Sequence, residues 1–94
     1  MTLEERCSRY IKMTNEALAL VKVAPSKESF LSKAAEDFID MCKNYLKDAS
    51  FFFQKGDYEN SLAACSYAYA WLDAGVRLGI LRADGDYKRF TQYS

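Results

Sequence analysis

Of this chain 28% is charged, yet the stretch from Asn60 to Leu72, N-S-L-A-A-C-S-Y-A-Y-A-W-L, holds no charge at all. It follows a helix-start signal, Gly56-Asp57-Tyr58, and ends at the acid Asp73. A helix without charge on any face is expected to be flanked by packing partners around most of its circumference. The run therefore marks the central element of an all-helical bundle and carries no chemistry of its own.

Apolar spacing on either side supports an all-α fold, an antiparallel up-down-up three-helix bundle with a short C-terminal tail. The expected helices cover about 3–23, 27–55 and 58–82, and the tail covers 83–94. Thr2-Leu3-Glu4-Glu5 is a capping box, in which Thr2 and Glu5 satisfy each other's orphan N–H groups. Leu3, Cys7, Tyr10, Thr14, Ala17 and Val21 then step 4-3-4-3-4. Pro25 disfavours a helical residue before it, and Ser26 is the expected cap of the second helix. There Leu31, Ala35, Phe38, Cys42, Tyr45, Ala49 and Phe52 repeat the alternation, the seam of a left-handed bundle. Gly56 supplies a left-handed C′ residue and Asp57 the next cap. So tight a joint forces a helical hairpin. The third helix has two adjacent seams, one from Tyr58 through Leu62, Cys65, Tyr69, Leu72 and Val76 to Gly79, the other through Ala64, Ala68, Trp71, Gly75 and Leu78. Two seams serve two neighbours.

A chain of 94 residues makes one domain, burying roughly 60–65% of its unfolded surface. Thirteen basic residues balance thirteen acidic ones, so the electrostatic footprint of a nucleic-acid binder is missing. No stretch approaches the roughly 20 apolar residues that span a bilayer, and the acidic start lacks the pattern of a signal peptide. No nucleic acid and no membrane is expected, and the expected location is the cytoplasm. Histidine is absent, which removes the usual activator of serine or cysteine nucleophiles and half the metal-ligand vocabulary. Cys7, Cys42 and Cys65 match no CxxC or zinc spacing. Each falls on an apolar stripe, where cysteine acts as a small hydrophobe; the rival reading is a three-thiolate site. The paired acids Glu4-Glu5 and Glu36-Asp37 sit among lysines on solvated faces. No glycine-rich phosphate loop occurs, and neither cofactor nor metal is expected.

Two constellations remain. Asp73 and Arg77 stand at i, i+4 beside Trp71, either as a structural ion pair or as a polar pocket where Gly75 and Gly79 leave room for a ligand. Phe51, Phe52, Phe53 and Tyr58 cluster at the hairpin end. Helix lengths of about 30 and 43 Å let that end extend past the first helix. Consecutive phenylalanines span about 200° of helix surface, so at least one is exposed, and the cluster is either a local cap or a self-association patch. In the tail, Tyr87, Phe90 and Tyr93 are spaced for a short docked helical turn.

The segment S-Y-A-Y-A-W-L-D-A-G-V-R-L-G, Ser66 to Gly79, together with Gly56-Asp57-Tyr58, resembles the small archaeal proteins of domain of unknown function 357. The resemblance covers the hairpin and third helix best. It implies a short helical bundle of archaeal cytoplasmic source and transfers no catalytic residue. Lys55 to Leu62 is also similar to the hairpin turn of a tetratricopeptide repeat, which implies peptide binding, but no second copy follows at a 34-residue period. A likeness to the helical domains that partner nucleotidyltransferases lacks their Arg-to-His motif. The expectation is a non-enzymatic protein–protein interaction or self-association module, with the protein partner unidentified and a homodimer one candidate. The alternative is a small-ligand binder at Trp71, Asp73 and Arg77.

Overall fold

Local capping builds the helices. In the computed structural model, which describes residues 1–24 and 29–83, the Thr2 hydroxyl accepts from the Glu5 N–H at 3.1 Å. The Glu5 carboxylate accepts in return from the Thr2 N–H at 3.2 Å. Helix α1 runs Leu3–Leu20, strand β1 Val21–Val23, helix α2 Phe30–Gln54, helix α3 Tyr58–Leu78 and strand β2 Leu81–Ala83. Gly56 takes a φ of 78°, and Asp57 caps α3 through Asn60. The helical hairpin is the one expected, and the bundle is all-α with one small strand pair.

The helix ends differ from the sequence expectation. Helix α1 stops at Leu20, because Val21 and Val23 are β-branched and pair antiparallel with β2, Val21 opposite Ala83 and Val23 opposite Leu81. Ser29 caps α2, accepting from the Ser32 N–H at 3.0 Å, so α2 begins three residues beyond the expected start; Ser26 lies outside the described residues. Helix α3 ends at Leu78, since Gly79 turns left-handed with φ 81°. Gly79 is thus the terminator of α3 and not part of a seam. Beyond it Ile80 and Leu81 fold back and are buried. Ala83 closes β2, and the proposed docked turn of the tail lies in 84–94, outside the described residues.

Three buried contacts set the register. The Cys7 thiol donates to the Ser61 hydroxyl at 2.9 Å. That hydroxyl donates to the Ala49 carbonyl at 2.6 Å, and Thr14 pairs with the Cys65 thiol at 3.4 Å. Helix α1 therefore lies parallel to α3, and α2 runs antiparallel to both. Among the described residues no buried side-chain nitrogen or oxygen lacks a partner. The hairpin end does not overhang α1: the Tyr58 hydroxyl donates to the Glu4 carboxylate, and Phe53 lines a cleft with Ser8. The extra length of α2 projects at the opposite end, where Phe30 and Leu31 are exposed.

Gly75 is where β2 closes on α3. A Cβ there would lie 2.4 Å from Leu81 Cδ1 and 2.7 Å from Leu81 Cγ, and Leu81 is itself buried. Gly75→Ala is expected to lower unfolding free energy by about 1–3 kcal/mol through overpacking, and Gly75→Leu by more. Urea melts check this; an unchanged midpoint would mean that Leu81 swings away freely.

Candidate functional site

The contacts of α3 divide its circumference. Cys65, Tyr69 and Leu72 are buried along the first seam and Ala64, Ala68 and Gly75 along the second, with Ser61, which belonged to neither expected seam, buried between them. Ala63, Ser66, Tyr67, Ala70, Ala74 and Leu78 are left exposed over the middle and end of the helix, with Glu59 and Asn60 exposed in its first turn and Arg77 in its last. At 100° per residue the first six span about 120° of the helix, and five of them, 63, 67, 70, 74 and 78, step 4-3-4-4. The charge-free run is therefore not wrapped on most sides. It is buried on two faces, and on the third it presents uncharged side chains to solvent.

That face has an organised centre. Tyr67 is 62% exposed, yet its ring is held by Tyr45 of α2, with centroids 5.5 Å apart at 35°. Ser66 donates to the Leu62 carbonyl at 3.0 Å, tying its hydroxyl back to its own helix. Leu78, 67% exposed, ends the row. An aromatic anchor set among alanines is the composition expected of a contact surface, since an ordered aromatic covers large area with few rotamers to lose. Ala63, Tyr67, Ala70 and Ala74 were not singled out in the sequence, and Tyr45 was read there only as a seam residue of the second helix. The third 4-3-4-4 row of α3 was the signal that could have found them.

The sequence-derived residues are distributed elsewhere. Trp71 is half-buried and meets Phe38 edge-on, with centroids 5.0 Å apart at 77°. Arg77 Nε lies 3.0 Å from Asp73 Oδ1, with side chains 61% and 29% exposed, so they form a surface pair within one helix. The space that Gly75 was expected to leave is filled by Leu81. Phe51, Phe52, Phe53 and Tyr58 do not share one face. Phe52 packs against the core, while Phe53 meets the Tyr58 ring at 5.2 Å. Phe51 is 55% exposed, with the Lys55 ammonium 5.6 Å above it. On the α1 side, Phe53 also floors an open cleft of about 630 Å³ bordered by Glu4, Glu5, Arg9 and Lys12.

All three cysteines are free and buried. Burial, reinforced by neighbouring Cys65, pushes the Cys42 thiol up to about 12, a state that suits packing and opposes nucleophilic work. The hydrogen bond to Glu4 raises the Tyr58 phenol. Among the described residues no group of three His, Cys, Asp or Glu could hold a metal ion, so the three-thiolate arrangement does not form. No helix among them is long and apolar enough to cross a membrane.

Fold and surface together define a small three-helix domain, clasped at one end by a strand pair and apolar on one open helix face. The chain belongs to the family described as protein of unknown function (DUF357), whose model matches residues 9–81. The match takes in most of α1 as well as the hairpin and α3, a longer span than the residues that first carried the resemblance. The chain has no match among curated proteins and none among solved structures.

Two measurements probe these side chains. Asp73→Ala is expected to cost no more than about 0.5 kcal/mol, as exposed helix pairs do; a cost above 2 kcal/mol in denaturant melts would mean the pair is structural. Burial pushes the Cys42 thiol from its ordinary value of 9.0 up to about 12 in the fold. The fold thus holds its proton, and that share of stability is complete below pH 9 and lost as pH rises toward 12. The slope is about 1.4 kcal/mol per pH unit for one proton. Urea midpoints measured from pH 8 upward are expected to fall less steeply in Cys42→Ala than in wild type, and equal slopes would contradict the assignment.

Proposed function

We propose that this domain is a non-enzymatic protein–protein interaction module that self-associates, and that its contact surface is the open face of α3. One observation carries the reading: the uncharged row Ala63, Tyr67, Ala70, Ala74 and Leu78 is exposed on a helix that buries two other seams against its neighbours. Contiguous apolar surface on a soluble domain marks an interaction site more often than a lone exposed side chain does. The ring pair of Tyr67 and Tyr45 supplies the aromatic anchor that such surfaces favour. A formal net charge of zero at pH 7 adds no long-range repulsion between copies.

The absence of histidine and the high Cys42 pKa support a role without catalysis. Free buried thiols suit a reducing compartment, which supports placement in the cytoplasm, and the family resemblance favours an archaeal cell. The Phe51 ring is kept as the competing contact point, since it is the most exposed member of its cluster.

Light scattering across a concentration series tests the reading on wild type, Tyr67→Glu and Phe51→Ser. Mass rising toward a dimer in wild type and Phe51→Ser, with Tyr67→Glu monomeric, is the expected result. A monomer throughout, or a dimer abolished only by Phe51→Ser, would remove the α3 face as the contact surface.

A further inference from the structure

We infer that two copies of this chain pack α3 against α3 antiparallel, across a two-fold axis that passes beside Ala70. The inference rests on the reading of α3 as the contact surface and adds the partner's orientation and register.

A two-fold contact must be self-complementary. In an antiparallel pair, residues face each other when their numbers add to the same value. About the middle of the open row a sum of 141 sets Ala63 opposite the other copy's Leu78 and Tyr67 opposite its Ala74; the axis then passes between residues 70 and 71, and the two copies of Ala70 flank it half a residue out of register. Every large side chain meets an alanine, the alternation that lets facing layers interdigitate. A parallel pair would set Tyr67 on Tyr67 and Leu78 on Leu78, with alanine on alanine between them, so bulky contacts would hold the helices apart over voids.

Charge at the border agrees. Glu59 and Arg77 are eighteen residues apart, five turns at 3.6 residues per turn, so they share one bearing at opposite ends of α3. Both are exposed. A two-fold axis lying between antiparallel helices keeps each flank on its own side. Glu59 of one copy then lies on the same flank as Arg77 of the other, offset along the axis by five residues or about 7.5 Å, a span the long arginine side chain can share between Glu59 and its own Asp73; a parallel pair instead sets like charges at the same height. Three alanines on the row allow close approach of the helix axes. A contact one helix wide falls short of the roughly 800 Å² per partner of a standard interface, so the dimer is expected to exchange with monomer at micromolar concentration.

Single cysteines introduced on the row distinguish the orientations, because the native thiols are buried. Ala70→Cys and Ala63→Cys are each oxidised mildly at a concentration where scattering shows the dimer, with wild type as the control. Antiparallel packing predicts a covalent dimer for Ala70→Cys at least tenfold faster than for Ala63→Cys, and cross-linking of the double variant Ala63→Cys/Leu78→Cys. Equal cross-linking of the two single variants would establish a parallel pair and overturn the inference. No cross-link in any variant, with a dimer that Tyr67→Glu still abolishes, would overturn the register while leaving the α3 face as the contact surface. A monomer throughout would overturn both.

Discussion

The Ser61 hydroxyl is the junction on which the arrangement of the three helices depends. It accepts from the Cys7 thiol of α1 and donates to the Ala49 carbonyl of α2, so one small group on α3 meets both neighbours. Each such bond contributes only about 1 kcal/mol net, but its geometric effect is larger than its energy. With Ser61 held, and Cys65 held four residues on by Thr14, α3 cannot turn about its own axis without leaving buried polar groups unpaired. Its rotation decides which residues face outward. The exposure of Ala63, Tyr67, Ala70 and Ala74 is the counterpart of that buried ladder.

The parts of the fold legible in the sequence are those decided locally. The capping box at Thr2 and the Gly56-Asp57 joint depend on residues within one or two turns, and they appear where the spacing puts them; the seams hold through their middles, while Leu3, Leu31 and Leu78 near the helix ends lie exposed. The ends of α1 and α3 were not legible, because they stop where Val21–Val23 and Leu81–Ala83 find each other, a pairing between distant parts of the chain. Read alone, either segment continues a helical stripe. Gly79 carried the warning, since a glycine at the end of a periodic run is as good a terminator as a seam member. The overhang expected at Phe51–Phe53 came from comparing helix lengths as though one end were free; the Tyr58–Glu4 bond aligns that end instead.

The candidate surface was legible only in part, for a different reason. The absence of charge from Asn60 to Leu72 says that no face is marked for solvent, but alanine does not report whether it is covered. Ala64 and Ala68 are buried while Ala63 and Ala70 are exposed, and the two pairs look alike in the chain. Tyr67 and Tyr69 differ in the same way, one exposed and one buried, although both sit in S-Y-A-Y-A. Only the rotation of α3, set by distant Cys7 and Ala49, separates them.

That exposed row is not required by the fold of a single copy. Lysine, glutamate or glutamine at positions 63, 70 and 74 would keep nearly all the helix propensity of alanine, reach no buried neighbour and add the surface charge that keeps small neutral domains apart. The rest of the surface uses that option freely: α1 carries Glu4, Glu5, Arg6, Arg9 and Lys12, and α2 carries Lys43, Lys47 and Asp48 on exposed positions. Over the middle turns of α3, between exposed Glu59 and Arg77, it is declined, and over the same turns Tyr45 steadies an exposed tyrosine. Intramolecular packing accounts for the two buried seams and leaves the third unexplained. A partner that needs close approach and no charge accounts for it, and the alternation of large and small along the row matches this chain against its own reverse.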